Sequence, residues 1–168
     1  KLFVGSEGTL GIMSEATLRL VNRPTSTLTA LLHFQNLEEV GHAVPQILTL
    51  QPSALEVMDA NTLNLIGRAK HGIPADAAAT LLLELDADSV EIDLQEQADA
   101  LRTICRPYKL ASEPTLAFDA ERREQLWKAR KALYPTLYRF DPKKKPINFV
   151  DDVVVPAERI SELIRYLE

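Results

Sequence analysis

The stretch TLTALLHFQNLEEVGHAVPQILTLQPSALEVMD, residues 27–59, decides the fold of this chain. Its start, TLTALLHF, and its end, SALEVMD, are short runs rich in apolar and β-branched residues, a composition that is typical of strands. Between them, Asn36 is followed three residues later by Glu39 and then by apolar residues at helical steps, which indicates a capped helix. The stretch therefore predicts a strand, a helix over residues 36–50 and a second strand.

A second unit of the same kind follows further along the chain. Residues 79–86, ATLLLELD, form a near-continuous apolar run of the kind found in central strands. Residues 89–106 then predict a helix, begun by Asp88 with Glu91, and residues 109–118 predict another strand. The apolar side chains of that helix recur every three or four residues, at Val90, Leu94, Ala98, Leu101 and Cys105. Two such units predict an α+β fold, a ferredoxin-like α/β sandwich with an antiparallel sheet and helices on one face.

Further strands and helices are predicted before, between and after the two units. Residues 15–22, EATLRLVN, alternate apolar and polar side chains and predict a strand that stops before Pro24. Short helical patterns follow Asp59 and Pro156, and a longer one follows Asp119. Residues 147–155, INFVDDVVV, predict a further strand. Within the longer helix, Pro135 should end or kink the helix near residues 131–134, because proline lacks an amide hydrogen.

Composition excludes several classes of function. The 24 acidic and 19 basic residues are mixed along 168 positions and give a net charge of −5, so no basic stripe predicts a nucleic-acid partner. The single cysteine, Cys105, allows neither an internal disulfide nor a cysteine-rich metal site and favours a reducing, cytoplasmic compartment. His33, His42 and His71 lack the spacing of metal ligands, so we predict no metal site within the chain.

The opening KLFVGSEGTLGI, residues 1–12, is rich in glycine without matching a nucleotide-binding motif. It is neither G-x-G-x-x-G nor a phosphate-binding loop ending in Gly-Lys-Ser/Thr. Gly5, Gly8 and Gly11 are compatible with a turn ahead of a strand, or with a loop whose backbone closely approaches a flat or anionic ligand. With no initiator Met, no signal peptide and no apolar run near ~20 residues, we expect a soluble piece of a larger intracellular protein.

A family resemblance extends over nearly the whole chain. FVGSEGTLGIMSEATLRL (3–20) resembles the segment that ends the FAD-binding domain in flavoprotein dehydrogenases of the vanillyl-alcohol-oxidase type, in the branch of glycolate oxidase and D-lactate dehydrogenase. Three later segments resemble that branch's C-terminal substrate domain in the same order. They are PSALEVMDANTLNLI (52–66), LWKARKALYP (126–135) and KKKPINFVDDVVVPAERISEL (143–163), the last being most similar to members with iron–sulfur modules.

The resemblance implies a division of the chain and a cofactor. Residues 1–24 would be the C-terminal end of an FAD-binding domain, and residues 25–168 an FAD-linked oxidase C-terminal domain that is incomplete at its C-terminus. In the intact protein the opening residues would contact FAD, mostly through their backbone. They are Gly5, Ser6, Gly8, Thr9, Gly11 and Ile12.

The helix after Asp119 carries the candidate substrate residue. Arg130 falls in one narrow sector with Leu126, Leu133 and Leu137, so it either extends its stem over the core to water or faces a cleft that receives an anion. The resemblance favours the second alternative, because the arginine of the similar L-W-x-x-R stretch contacts the substrate carboxylate in related 2-hydroxy-acid dehydrogenases. A guanidinium suits this task, since it is always charged and binds a carboxylate through two parallel hydrogen bonds.

Other positions match the family less closely. Tyr134 lies where relatives can have a small hydroxyl residue, so it is a second substrate-binding candidate. Val150 stands where some relatives have a lysine that faces the substrate. That contact is therefore absent here, or a lysine of the run Lys143–Lys145 replaces it. For this run itself, a solvated loop is the simpler interpretation. Asp151 and Asp152 can cap, pair locally or do acid–base chemistry. Relatives place catalytic and metal-binding histidines in a His-Gly-Asp-Gly-Asn-type stretch beyond this segment, so we nominate no catalytic residue.

The resemblance implies an FAD-dependent dehydrogenase that transfers a hydride from C2 of a 2-hydroxy acid, such as D-lactate or glycolate, to flavin. Its electrons would pass to an iron–sulfur partner or a quinone, with peripheral membrane association of the intact enzyme as one way of reaching the quinone. We expect this segment by itself to be inactive. The alternative is a non-enzymatic ferredoxin-like module that binds a small molecule or another subunit.

Overall fold

The computed structural model describes residues 2–87, 94–141, 143–146 and 153–167. The predicted strand–helix–strand of residues 27–59 is confirmed as strand β1 (Ser26–Phe34), helix α1 (Leu37–Ile47) and strand β2 (Ala54–Asp59). Asn36 caps α1 as predicted, because its side chain accepts a hydrogen bond of 2.8 Å from the amide of Glu38. A turn of 3₁₀ helix, Leu48–Leu50, extends the helix to the predicted end.

The second unit is also confirmed, with one shortened strand. It consists of strand β3 (Ala79–Ala87), helix α3, described from Leu94 to Cys105, and strand β4 (Thr115–Ala117). A short helix α2 (Ala60–Ile66) and a 3₁₀ turn (Arg68–His71) connect the two units. The predicted cap by Asp88 and Glu91, together with Val90, lies outside the described residues.

The four strands form one antiparallel sheet in the order β2-β3-β1-β4. The two central strands are β1 and β3, which come from the start of each unit and pair over nine positions, from Ser26 opposite Ala87 to Phe34 opposite Ala79. This order is that of a ferredoxin-like sheet, in which each helix crosses from a central strand to an edge strand. The predicted fold class is therefore confirmed.

The strand predicted over residues 109–118 forms only in part. Leu110 bridges Phe34, and β4 then pairs with Thr29–Leu31, so the two pairings are five residues apart on one strand and three on the other. The chain bulges away from β1 between them, at a stretch that contains Pro114, which has no amide hydrogen to donate to a ladder.

One face of the sheet holds the main apolar core. Helices α1 and α3 share this face, as predicted, and cover alternate residues of β1 and β3 that include Leu28, Leu32, Phe34, Leu81, Leu83 and Leu85, all 0% exposed. Cys105 is part of this core, and burial raises the pKa of its thiol to about 11. A thiol in such a position stays protonated and unreactive at neutral pH.

The described residues after β4 include three further α-helices, of which the first covers the opposite face of the sheet. They are α4 (Ala120–Lys131), α5 (Leu133–Phe140) and α6 (Ile160–Leu167), the last preceded by a 3₁₀ turn at Ala157–Arg159. The predicted break before Pro135 is confirmed, since α4 ends at Lys131, whose carbonyl proline cannot satisfy.

Helix α6 packs on the outer side of α1 through a very close backbone contact. A Cβ at Gly41 would lie 2.7 Å from the Cα of Ser161, so only glycine allows the two helices to approach this closely. An ion pair of 3.3 Å between Arg165 and Glu38 reinforces the contact. This contact attaches the end of the described chain to the domain.

One predicted strand is not found, and a second lies mostly outside the described residues. The alternating segment 15–22 has no regular secondary structure and is exposed throughout, because no described strand lies beside it to pair with its backbone. The prediction of a strand there is wrong for this structure. Of the strand predicted at 147–155, residues 147–152 lie outside the described ranges, and residues 153–155 are not a strand.

Candidate functional site

The face of the sheet that meets α4 is unusually polar for a surface covered by a helix. Thr29 on β1 and Thr80 on β3 are both 0% exposed, and His33 on β1 is 4% exposed. Glu84 on β3 and Glu56 on β2 project on the same side, because side chains alternate along a strand. Buried polar groups need partners, so the contacts of these residues define the site.

Glu84 binds groups from two different elements. Its Oε1 accepts a hydrogen bond of 2.8 Å from the hydroxyl of Thr29 and another of 2.8 Å from the indole Nε1 of Trp127 on α4. Hydrogen bonds to a carboxylate are stronger than those between neutral groups. Glu84 therefore connects the central strands of the sheet to the helix above them.

Arg130, one helical turn after Trp127, makes the second polar contact between α4 and the sheet. Its Nε donates a hydrogen bond of 2.9 Å to Oε2 of Glu56 on β2. The arginine side chain is 29% exposed and the glutamate 37%, so the pair is neither buried nor fully in water. The sequence left two alternatives open for Arg130, a stem that runs over the core to water or a side chain that faces a cleft. The structure shows a side chain that the sheet partly covers and that is partly exposed.

Helix α4 has little apolar surface with which to bind the sheet. Among its twelve residues, all of which the structure describes, Ala129 is the one that is buried. Ala129 belongs to a small second apolar cluster with Met58 of β2 and residues of α2, and Leu133 packs against it. The helix begins at Asp119, whose carboxylate accepts a hydrogen bond from the amide of Arg122. Polar contacts at Trp127 and Arg130, with this cluster, thus set the position of α4.

His33 and Thr80 form a polar contact on the same face. Nδ1 of His33 lies 2.8 Å from the hydroxyl oxygen of Thr80. Burial lowers the pKa of His33, since it disfavours the charged ring. At neutral pH the ring is therefore neutral and can accept or donate a hydrogen bond without a charge.

The second substrate-binding candidate lies close to the first. Tyr134 is at the start of α5, one turn beyond Arg130, and its side chain is 47% exposed. The Lys143–Lys145 run is exposed, with Lys144 paired to Asp141 at 3.7 Å, which agrees with a solvated loop. The other positions considered in the sequence, Val150, Asp151 and Asp152, lie outside the described residues.

The glycine-rich opening is a separate, exposed turn. Gly5, Gly8 and Gly11 have φ angles of 81°, 80° and 150°, in the region that other residues rarely adopt. The turn is held by Ser6, whose carbonyl accepts hydrogen bonds from the amide and the hydroxyl of Thr9. A Cβ at Gly5 or Gly8 would meet nothing within 4 Å, so these glycines leave open space beside the backbone. Ile12, at its end, is 98% exposed.

Two kinds of feature are not found in the part of the chain that the structure describes. No group of three histidine, cysteine, aspartate or glutamate side chains is placed to hold a metal ion. None of the helices in the described ranges is long and apolar enough to cross a bilayer.

Glu56 and Glu84 were not predicted from the sequence, although a local feature of the sequence marks each of them. Glu84 interrupts the apolar run of ATLLLELD, and a carboxylate inside a central strand needs a partner from another element. Glu56 stands between Leu55 and Val57 in a strand whose alternation places it on the face opposite to the main core. Which partner each would find depended on where α4 lies.

Comparison with known proteins identifies related chains. The model of the family described as FAD linked oxidases, C-terminal domain, matches residues 23–168. The glycolate oxidase subunit GlcD of Bacillus subtilis is 34% identical over 170 residues, which is 98% of this chain and 34% of that protein. The probable mitochondrial D-lactate dehydrogenase of Danio rerio is 33% identical over 165 residues, 97% of this chain and 32% of that protein. The chain thus spans about a third of the length of the relatives it matches.

Proposed function

The chain belongs to the family of FAD linked oxidases, C-terminal domain, and we propose that the protein containing it is an FAD-dependent dehydrogenase of 2-hydroxy acids. The names of the relatives support this class of reaction, since they are glycolate oxidase subunits and D-lactate dehydrogenases. The observation that carries the proposal for this chain is Arg130, an arginine on the polar face of the sheet whose side chain is 29% exposed. A 2-hydroxy acid carries a carboxylate, which this group binds well.

Membership of this family also supports a division of the chain into parts of two domains. We propose that residues 1–24 complete an FAD-binding domain and that residues 25–168 form the substrate domain. Large apolar side chains of the opening segment support this, because Val4, Ile12, Leu20 and Val21 are each more than 80% exposed and lack the cover that such side chains usually have. A neighbouring domain would supply that cover.

We propose that the opening turn contacts the flavin. A Cβ at Gly5 or Gly8 would meet nothing within 4 Å, and this open space beside the backbone would permit close approach of a flat ring system or a phosphate. Ser6, Thr9 and Ile12 would complete the contact, mostly through backbone groups. FAD, when bound, supplies the hydride acceptor for oxidation of the alcohol carbon.

Arg130 would fix the substrate by its carboxylate. Two parallel hydrogen bonds from the guanidinium to the carboxylate would limit rotation of the acid and hold the hydrogen on C2 in one direction. Tyr134, one turn further on, would offer a hydroxyl donor to the same substrate. The chain's role in the reaction is then to bind and orient the substrate.

We also propose a location and an electron acceptor. A cytoplasmic location is supported by the free, buried thiol of Cys105, which requires no oxidising compartment. An iron–sulfur partner or a quinone would take the electrons, a proposal supported by the resemblance of residues 143–163 to members with iron–sulfur modules. Fractionation of cells and reoxidation assays with quinone analogues test these two proposals.

Anaerobic reduction of bound flavin tests the proposed function. The full-length protein is mixed with D-lactate, L-lactate, glycolate and D-2-hydroxyglutarate in turn, while the visible flavin absorbance is recorded. We expect one of these acids to bleach the absorbance rapidly, and Arg130→Lys to slow that bleaching and raise the substrate concentration needed. A full-length protein without flavin would contradict the proposal.

A further inference from the structure

We propose that Glu56 is a positioning residue that orients the guanidinium of Arg130 for the substrate carboxylate. This inference rests on the proposed function and adds a residue to it. The carboxylate of Glu56 comes from β2, an edge strand, whereas Arg130 comes from α4, which packs across the sheet. The pair therefore joins two elements that are far apart in the sequence.

The atoms in contact support orientation. Glu56 accepts a hydrogen bond from Nε, the inner nitrogen of the guanidinium, at 2.9 Å. The two outer nitrogens, Nη1 and Nη2, form the opposite edge of the planar group and carry the donors of an end-on fork. A carboxylate bound at Nε fixes the plane and direction of this fork and leaves its edge for a second carboxylate.

The degree of exposure argues against a purely stabilising role. Ion pairs that remain in contact with water contribute little to stability, and here both side chains are about one-third exposed. A structural role would be better served by an apolar contact at the same place. Such a pair can instead restrict the direction in which the long arginine side chain points.

The base of the arginine is held independently of Glu56. Ala129, the preceding residue, is 4% exposed in the second apolar cluster, and Trp127 is bonded to Glu84 at 2.8 Å. These contacts fix the rotation of α4, so the backbone of Arg130 stays in place when Glu56 is changed. Replacement of Glu56 should then act on the guanidinium alone.

Two substitutions of Glu56 test the inference in the full-length flavoprotein. Glu56→Gln keeps an oxygen that can accept from Nε, whereas Glu56→Leu removes it at similar size. We expect Glu56→Leu to raise KM and to weaken binding of the 2-oxo acid product, measured by calorimetry, by about tenfold, because a misdirected fork loses one of two bonds. We expect Glu56→Gln to stay within about threefold of the original in both measurements.

Asp86 provides a matched control on the same face. It accepts a hydrogen bond of 2.7 Å from Thr27, a residue of the neighbouring strand, so Asp86→Leu also removes a strand carboxylate and orphans its donor. We expect this variant to keep the original KM and product affinity. Equal losses in Asp86→Leu and Glu56→Leu would overturn the inference, because they would report a general weakening of the sheet.

Two further outcomes also overturn the inference. Tighter product binding in Glu56→Leu would mean that Glu56 competes with the substrate for the arginine, and an unchanged affinity would mean that it does not act on Arg130 at all. The variant Arg130→Leu distinguishes failure of the role of Glu56 from failure of the proposed function. If that variant binds product as before, Arg130 is not the carboxylate site, whereas weak binding in Arg130→Leu with normal binding in Glu56→Leu refutes only the role of Glu56.

Discussion

The two faces of the sheet are built from the same strands by different means. On one face, leucine, alanine and phenylalanine side chains of β1 and β3 are buried under α1 and α3. On the other, positions one step along the same strands carry Thr29, His33, Thr80 and Glu84, and α4 is bound through directed hydrogen bonds. Apolar burial is strong but not directional, whereas a hydrogen bond fixes distance and angle. The comparison indicates that the first face supplies most of the stability and the second supplies positional accuracy.

The largest expected effect comes from removing a side chain of the apolar face. Phe34 is 0% exposed and lies against Tyr108, with ring centroids 6.2 Å apart. We expect Phe34→Ala to lower the free energy of unfolding by about 3–5 kcal/mol, measured by urea denaturation. The control is Phe140→Ala, at a side chain that is 76% exposed, which should change it by less than about 0.5 kcal/mol. Similar losses in both variants would contradict the claim that the buried apolar face supplies most of the stability.

A smaller effect is expected when the polar face loses one acceptor. Glu84→Leu leaves the hydroxyl of Thr29 and the indole N–H of Trp127 without their partner. We expect the free energy of unfolding to fall by about 1–3 kcal/mol, the cost of unsatisfied buried donors. Trp127 is the single tryptophan, so its emission should also shift to longer wavelength as α4 loosens. An unchanged emission would show that α4 does not depend on this contact for its position, and Asp86→Leu is the control.

The smallest expected effect is a pH dependence of the free energy of unfolding, caused by His33 on the polar face. Because burial lowers the pKa of His33, the unfolded chain takes up a proton, near its usual pKa of about 6.5, at a pH where the folded protein does not. The free energy of unfolding should therefore fall as the pH drops below about 6.5, by at most about 1.4 kcal/mol per pH unit, until His33 is protonated in the folded state too.

Substitution of the histidine tests that sign. His33→Gln keeps a hydrogen-bonding side chain beside Thr80 and cannot titrate, so its free energy of unfolding should fall less steeply between pH 7 and pH 5. His42→Gln, at an exposed side chain, should keep the steeper fall of the original protein. Parallel curves for the original chain and His33→Gln would refute the assignment.

Much of the fold was predictable because its signals are local. Periodicity and capping predict the strand–helix–strand pattern of residues 27–59 and its repeat around ATLLLELD. The missing amide hydrogen of proline predicts the helix break before Pro135. The strand predicted at residues 15–22 failed because alternation makes a strand possible, while a neighbouring strand makes it form. The family resemblance is confirmed by the match over residues 23–168.

The candidate site was predictable only in part. The sequence singled out Arg130 as a charged residue among leucines, and the structure places it on the sheet with its side chain partly exposed. The assignment of FAD contacts to Gly5, Gly8 and Gly11 stays a prediction, as does the assignment of substrate contacts to Arg130 and Tyr134. Glu56 is 74 residues from Arg130 in the chain, and no local pattern connects two positions at that distance.

The sequence by itself determined which segments are strands and helices in the two repeated units, and which side of each strand is apolar, because both depend on neighbouring residues and on period. Only the tertiary structure decided that α4 covers the polar side and that Glu84 and Glu56 meet Trp127 and Arg130. The physical reason is that α4 has almost no apolar stripe to indicate where it binds. Its position depends on hydrogen-bond partners from β2 and β3, which come together only when the sheet is formed.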